Sequence, residues 1–531
     1  MTFALNVAAA ALLSVTSSPA DTVVLFDDLG EHHYEISTTN PLAQQYFDQG
    51  VRLMWGFNHA EAIRAFDQAA QIDPQCAICY WGIAYSYGPN INAPMDSASG
   101  VAAWNALQEA IERKSHASEI EAAFIDALAA RYAAVPPVQR AALDSAYSRA
   151  MNEVADRFPN DLEAAVLAAD AIMNLSPWNY WTPDGQPRPE TGRLVNLLEN
   201  MIAENPNHPG ACHLYIHAVE AAEPEKAVPC AERLAGLMPG AGHIVHMPAH
   251  IYIRVGRYND AIEANQHAVH QDETYISDVG PSGIYPAFYY PHNYHFLAFA
   301  STFAGRSDLA IETARKSAET MGLDLPRMFG PEASRMLAHP HLTLMAFGRW
   351  EDVLAEPVPP SDIRFAAGLV HYARGVAHAA LGHPDEAAAE LDSVRQIASE
   401  HTEDWPSVVM QIATHALMGD IAYRQGEFAD AVQHYQVAAE LQDGLRYTEP
   451  AYWNKPVRHD LGAALLAAGQ AAEAERAYRE DLEKFPDNGW SLFGLAASLD
   501  AQGKSAEAEE VRARLASAWS ESDVTLAGSR F

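Results

Sequence analysis

The sequence predicts an all-α fold, a solenoid (superhelix) of helix-turn-helix repeats that contains a less regular helical insert. Small and large apolar residues recur with a period of 34 residues near both ends of the chain. The segments between them are rich in alanine, and they lack the alternating patterns that are typical of strands. With 531 residues, 49% of them hydrophobic, the chain is long and apolar enough to bury a large core.

The repeats are clearest near the two ends of the chain. One unit has small, small, large, small and proline residues at Gly50, Ala62, Phe66, Ala69 and Pro74. Near the other end, three small residues recur 34 positions later, with Gly462, Gly469 and Ala474 followed by Ala496, Gly503 and Ala508. Small residues let paired helices approach closely, and the large residue fills the gap to the next pair. The pattern resembles the tetratricopeptide repeat (TPR) over most of residues 43–87 and 240–520, which implies the fold but says little about chemistry.

These patterns divide the chain into six predicted segments. They are a signal peptide (1–20), an N-terminal segment with the first TPR units (21–87), an irregular helical insert (88–205), a histidine-rich groove region (206–300), C-terminal TPR units (301–520) and a tail (521–531). The insert contains a loop rich in proline and aromatic residues, including Trp178 and Trp181. These aromatic side chains either cap the edge of a hydrophobic groove or contact a ligand.

The first residues of the chain predict export. The apolar run Phe3–Val15 is too short to span a bilayer as a helix. Ser18 and Ala20 then place small residues at the two positions that a signal peptidase reads. We therefore expect cleavage after Ala20 and a periplasmic or secreted protein.

The four cysteines are compatible with an oxidising compartment. Cys212 and Cys230 fall on two predicted helices joined by a turn, a geometry that could bring them together. Cys76 and Cys79 form a CxxC motif, which can be a redox pair, half of a metal site or a local disulfide.

The charge of the chain excludes two classes of partner. There are 69 acidic and 34 basic side chains, so the formal net charge is −35. A field this negative repels phosphate backbones and anionic lipids, and we expect neither nucleic acid nor a membrane as a partner. The motifs of serine hydrolases, nucleotide-binding loops and zincin peptidases are also missing from the sequence.

Histidines are concentrated in one part of the chain, and their spacing indicates a metal site. His213 and His217 lie four residues apart in a helical stretch, with Glu220 on the same face. A second string supplies the candidate ligands His243, His246 and His250, where Pro248 must either start a helix or kink it. Further pairs are His292 with His295, as possible additional ligands, and His32 with His33, as extra ligands or a solvated arm.

Several strings resemble one group of TPR proteins more closely than the general repeat does. They include CHLYIHAVE, GHIVHMPAHIYIRVGRY, YYPHNYHFL and NGWSLFGL. These strings look like an exported bacterial group of TPR proteins in which histidine-rich motifs of the HMPAH type are characteristic. The resemblance covers almost the whole mature chain and implies fold and export, but it carries over no catalytic residues.

Two functions from different classes follow from these patterns. The first is a metalloprotein that binds a transition metal ion, Zn or Cu, through the histidines on its concave face, with Glu220 as ligand or catalytic general base. It would include a metal-dependent enzyme if one coordination position is open. The alternative is a non-catalytic scaffold that binds a small molecule, a peptide or a protein in a groove. We assign Trp178, Trp181, Tyr252 and Tyr290 to this ligand groove.

Overall fold

The computed structural model describes residues 23–280, 283–402 and 404–531. The described residues are helical almost throughout, and the only strand-like pairings among them are the isolated bridges Asn90–Ala93 and Trp181–Pro187. The prediction of an all-α repeat fold is therefore confirmed. The predicted signal peptide lies outside the described residues, and the six predicted segments stay a prediction.

The chain forms two compact units. The first contains the described residues up to Ile251 together with those of His267–Tyr289, and the second contains Tyr252–Gln266 and Tyr290–Phe531. The helices of the first unit are α1 (Pro41–Trp55), α2 (His59–Ile72), α3 (Ala77–Ser86), α4 (Ser97–Glu112), α5 (Glu119–Leu128), α6 (Ala141–Arg157), α7 (Leu162–Met173), α8 (Thr191–Glu204), α9 (Pro209–Val219), α10 (Val228–Leu237) and α11 (Gly242–His246). It also contains the 3₁₀-helices Lys114–His116 and Pro224–Ala227 and the π-helix Tyr285–Tyr289.

The division between the units falls inside two helices, α12 (Pro248–Arg254) and α13 (Tyr258–Val279). The helices of the second unit are α14 (Tyr290–Phe303), α15 (Ser307–Met321), α16 (Asp324–Phe329), α17 (Pro331–Ala346), α18 (Trp350–Ala355), α19 (Arg364–Ala380), α20 (Pro384–Glu400), α21 (Asp404–Gln425), α22 (Phe428–Asp443), α23 (Val457–Ala467), α24 (Ala471–Lys484), α25 (Gly489–Ala501) and α26 (Ser505–Ala518). No helix among the described residues combines the length and apolar character needed to cross a membrane.

Close helix packing explains the repeated small residues. In the first unit, the ring of Phe66 on α2 lies between Gly50 of α1 and Gly82 of α3. A Cβ atom would lie 2.5 Å from this ring if it were added to Gly50, and 2.7 Å if it were added to Gly82. Contacts this short would force the helices apart, so the repeat requires glycine at both positions.

The second unit repeats this arrangement near its end. The ring of Tyr478 on α24 lies between Gly462 of α23 and Gly494 of α25, and an added Cβ atom would overlap the ring at either glycine. The same combination of two glycines and one large ring thus holds three successive helices together in both units.

The cysteines form the two pairs that their spacing suggests. Cys76 and Cys79 form a disulfide at the start of α3. Cys212 on α9 and Cys230 on α10 are buried free thiols, with their sulfur atoms 2.6 Å apart. The first pair is therefore a local disulfide, as one of the three interpretations of the CxxC motif expects.

Candidate metal centre

Helix α9 carries the first two candidate ligands. It begins at Pro209, whose missing amide hydrogen suits the first turn of a helix. The residue before it, His208, caps the helix by accepting the amide hydrogen of Ala211 at Nδ1, over 3.2 Å. Helix α9 packs against α1, α7, α8 and α10 and is buried. His213 and His217 lie one turn apart on this helix, in the interior of the first unit.

The second string of histidines is placed by two short helices. His243 and His246 lie on α11, whose last residue is His246, and α12 starts at Pro248 and carries His250. Proline therefore begins a helix here, which is one of the two possibilities left open by the sequence. The amide of His243 donates to the hydroxyl of Tyr285 over 2.9 Å, and this hydroxyl donates to Asp272 over 3.0 Å.

The hydrogen bonds of α9 fix which ring nitrogen is available as a ligand. Nδ1 of His213 lies 2.6 Å from the carbonyl oxygen of Trp55, and Nδ1 of His217 lies 3.0 Å from Oε1 of Glu220. Since a carbonyl and a carboxylate only accept, both Nδ1 atoms carry the hydrogen and both Nε2 atoms carry a lone pair. These two Nε2 atoms are buried and have no hydrogen-bond partner among the described residues. A histidine that ligates a metal typically donates its other nitrogen in this way.

Glu220 connects the two strings of histidines. Its Oε2 accepts from Nδ1 of His250 over 2.7 Å, while its Oε1 accepts from His217. Nε2 of His250 in turn lies 2.9 Å from Nε2 of His246. Burial raises the pKa of the Glu220 carboxyl, but the neighbouring His250 and His217 lower it more, so that it lies at about 2. Glu220 is therefore a carboxylate that orients two imidazoles; its predicted role as ligand or general base stays a prediction.

Two overlapping groups of side chains could hold a metal ion. The candidate ligand atoms of His213, His217 and His243 lie within 4.8 Å of one another, and so do those of His217, Glu220 and His250. Zinc–nitrogen bonds of 2.0–2.1 Å at tetrahedral angles place ligand nitrogens about 3.3 Å apart. The candidate ligand atoms would therefore have to approach one another by at most about 1.5 Å to bind one ion.

Aromatic side chains enclose the histidines. The ring of Phe57 lies 4.4 Å from that of His213 and 5.6 Å from that of His243, and Trp178 approaches His217 edge-on at 4.9 Å. Phe57 and Trp178 both have positive φ, 56° and 63°, a conformation that bulky residues rarely adopt. Strained backbone of this kind persists where the surroundings hold it in place, and it is concentrated at functional sites.

The candidate ligands are almost fully buried. The side chains of His213, His217, Glu220, His243, His246 and His250 belong to residues that are at most 2% exposed. Burial is the main cause that lowers the pKa of both His213 and His217, and a neighbouring imidazole lowers that of His213 further. The imidazoles of His213 and His217 are therefore neutral at pH 7, the form that binds a metal. The structure differs here from the expectation of an open groove, because Phe57 and Trp178 cover the ligands.

The other predicted site residues are distributed over both units. Trp181 lies in the first unit, where its ring nitrogen donates to the carbonyl of Ala218 over 2.7 Å. The remaining four belong to the second unit and are Tyr252, Tyr290, His292 and His295. His295 packs edge-on against His339 at 4.5 Å, and burial holds its pKa well below the usual range.

Sequence reasoning missed a second cluster of histidine and glutamate in the first unit. Oε1 of Glu163 lies 2.6 Å from Nε2 of His32 and 3.0 Å from Nε2 of His208, and its Oε2 accepts from Nε1 of Trp55 over 3.2 Å. Because Nδ1 of His208 already accepts a helix amide, its Nε2 carries the hydrogen and has no lone pair for a metal. This cluster therefore anchors the segment around His32, although its ligand types also suit a metal. His208 directly before Pro209 is the signal that could have identified the cap.

Comparison with known proteins finds matches to one family of repeats and to solved structures. The model of the tetratricopeptide repeat matches residues 368–393, 456–480 and 489–514. Among solved structures, the human IFIT1 dimer with m7Gppp-AAAA is 12% identical, with 83% of this chain and 89% of that chain covered at a TM-score of 0.37. The APC/C hetero-tetramer Cut9–Hcn1 is 13% identical, with 91% and 74% covered at a TM-score of 0.30.

A search of curated proteins found no match to the chain. The three matched segments all lie in the second unit, on helices α19–α20 and α23–α26. The second unit therefore contains segments of the tetratricopeptide-repeat type.

Proposed function

We propose that this protein binds one transition metal ion, Zn or Cu, through Nε2 of His213, Nε2 of His217 and the imidazole of His243. The observation that carries the proposal is the pair of buried Nε2 lone pairs on α9, whose Nδ1 hydrogens are donated to fixed acceptors. Leaving such atoms without a partner costs roughly 1–3 kcal/mol each. A metal ion removes this cost and uses the neutral imidazoles as ligands.

His246 and His250 would form the outer part of the same centre. Glu220 fixes the ring orientation of His250 as it does that of His217, so one carboxylate prepares two imidazoles. Carboxylates in this position raise the basicity of the ligand nitrogen, and their loss typically lowers metal affinity about 10–100-fold.

The enclosure of the site bears on what the ion does. Its candidate ligands are almost fully buried beneath Phe57 and Trp178. Burial of this degree favours a structural or redox-active ion over one that processes a bulky substrate, and the same enclosure argues against a groove where histidines contact a protein or a peptide. We propose in addition that the protein acts in the periplasm or outside the cell after cleavage behind Ala20.

Total metal analysis of protein purified without a histidine tag tests the proposal. After loading with Zn or Cu and dialysis, the wild type should retain one ion per chain. His213→Ala and His217→Ala should each lose most of it, while His434→Ala, on helix α22 of the second unit, should retain it. Well under one retained ion in the wild type, or equal retention in all three variants, would contradict the proposal.

A further inference from the structure

The segment Trp519–Phe531 follows the last helix and returns along the second unit. The hydroxyl of Ser522 donates to the carbonyl of Gly305 over 2.9 Å. The carboxylate of Asp523 accepts the amides of Ser307 and Asp308 over 2.7 and 3.1 Å, at the start of α15. These bonds cap a helix whose own first residues provide no side-chain cap.

Close to its end, the segment contains a buried arginine. Arg530 is 8% exposed, and its guanidinium forms ion pairs with Asp420 and, over 3.3 Å, with Asp460. Its Nη1 donates to the hydroxyl of Tyr435 over 2.6 Å. The guanidinium also lies over the ring of Tyr423, 4.7 Å from the centroid. This is a complete arginine pocket, with two carboxylates, a hydroxyl acceptor and an aromatic face.

The residues on both sides of the arginine are held as well. The hydroxyl of Ser529 donates to the carbonyl of His459 over 2.9 Å, so Tyr478 donates to Ser529 over 2.7 Å. The ring of Phe531 meets that of Trp490 edge-on at 5.5 Å, and its carbonyl accepts from Arg424 over 2.6 Å.

The receiving side chains come from five successive helices, α21 to α25. They recognise the charge of one side chain, the hydroxyl of the residue before it and the ring of the residue after it. The pockets receive three consecutive side chains of a non-helical segment, and side-chain pockets give specificity in peptide recognition. This mode of contact differs from the helix-on-helix packing in the rest of the unit.

The pocket also requires a cation. Asp420 is 2% exposed, and Arg530 is its ion-pair partner in the described structure. A buried carboxylate that loses its partner is strongly destabilising. Whatever replaces Arg530 must therefore bring a positive charge to the same point.

We propose that Asp420, Tyr423, Tyr435, Asp460 and Trp490 form a binding site for peptide segments in which arginine precedes an aromatic residue. The chain's own Ser529–Phe531 is an internal occupant that competes with such segments from a partner. This site lies in the second unit and is independent of the metal centre proposed for the first.

A labelled peptide that copies residues 522–531, blocked at both ends, tests the proposal by fluorescence anisotropy. The double variant Arg530→Ala/Phe531→Ala vacates the site and should bind the peptide at least tenfold more tightly than the wild type. A peptide with glutamine in place of arginine should lose at least tenfold in affinity for that variant, and so should the labelled peptide when Asp420→Asn is added.

Equal affinity of wild type and double variant for the peptide, or no binding to either, would overturn the proposal and leave the segment as a structural cap. Far-UV circular dichroism checks that the double variant is folded. If its helical signal falls, the single variants Arg530→Lys and Phe531→Ala replace it. Phe531→Ala must then bind the labelled peptide more tightly than Arg530→Lys and the wild type do. If it does not, the proposal is also overturned.

Discussion

Replacing Glu220 by glutamine tests whether one carboxylate prepares the metal centre. Glu220 accepts hydrogens from Nδ1 of His217 and of His250. A glutamine of the same shape has one oxygen that accepts and one amide nitrogen that only donates. If the amide nitrogen faces His217, this imidazole must move its hydrogen to Nε2, which removes the lone pair that would bind the metal. If it faces His250, the imidazole in the outer part of the centre loses the acceptor that orients it.

The structure allows the size of the effect to be estimated. Loss of a carboxylate behind a ligating histidine typically lowers metal affinity about 10–100-fold, which corresponds to about 1.4–2.7 kcal/mol. The same substitution also removes a buried, charge-assisted hydrogen bond, so the free energy of unfolding of the metal-free protein should fall by about 1.5–3 kcal/mol. Metal affinity and stability must therefore be measured separately.

Glu163→Gln is the matched control. Glu163 is also buried in the first unit and accepts from two histidines, His32 and His208, but neither imidazole belongs to the proposed metal centre. Isothermal titration with Zn should show weakened binding for Glu220→Gln alone, while urea denaturation should show similar destabilisation for both variants. If Glu220→Gln binds the metal as tightly as Glu163→Gln does, Glu220 is a structural residue and the reasoning fails.

Three further predictions concern stability. Burial, and secondarily the charge of Arg335, lowers the pKa of His339 from 6.5 to about 3. The unfolded chain therefore binds a proton that the folded one does not, and stability should be lost as pH falls from 6.5 towards 3, by about 2.7 kcal/mol at pH 4.5. Urea denaturation at pH 7 and 4.5 should show a smaller loss for His339→Gln than for the wild type, and equal losses would refute this. Gly50→Ala should lower the free energy of unfolding by about 1 kcal/mol, because the added Cβ atom would overlap the ring of Phe66. Substitution of the exposed Gly192 by alanine should raise the free energy of unfolding, because alanine favours the helix and no atom lies within 4 Å of the added Cβ. Thermal melting of the two variants compares them, and a change of stability in the same direction for both would contradict the packing argument. Protein from an oxidising compartment should contain a disulfide between Cys212 and Cys230. For a loop of this length, the disulfide should raise the free energy of unfolding by about 3 kcal/mol. Mass spectrometry that finds Cys212 and Cys230 as alkylatable thiols after denaturation would exclude the disulfide.

Much of the fold could be predicted because the repeat leaves a periodic record in the sequence. Gly50 and Phe66 are recognisable as small and large positions because successive helix pairs repeat the same packing. The spacing of His213 and His217 likewise places them on one face of a helix. The spacing of residues in the sequence does not identify the distant residue to which each side chain is hydrogen-bonded. Nothing near His213 in sequence indicates that its Nδ1 hydrogen is donated to Trp55.

The tail illustrates the same limit for a different reason. The residues Ser529–Phe531 have no periodic pattern, and their role depends on side chains from distant helices, including Asp420, which lies 110 residues away. The covering of the histidines by Phe57 and Trp178 was also outside the reach of pattern analysis, because positive φ at a bulky residue has no signature in a single sequence.

The hydrogen bond between His213 and Trp55 has a consequence for how the proposed metal ion would be acquired. It joins residues 158 positions apart, so the ligand geometry on α9 is complete only after α1 has docked on it. Contacts of such long sequence separation form late, because the entropy of closing a long loop must first be overcome. The proposed metal ion would therefore enter a first unit that has already assembled, in contrast to the ion of a zinc finger, which drives folding. Loading would then require the aromatic cover to open, and we expect slow uptake and slow release by the folded protein.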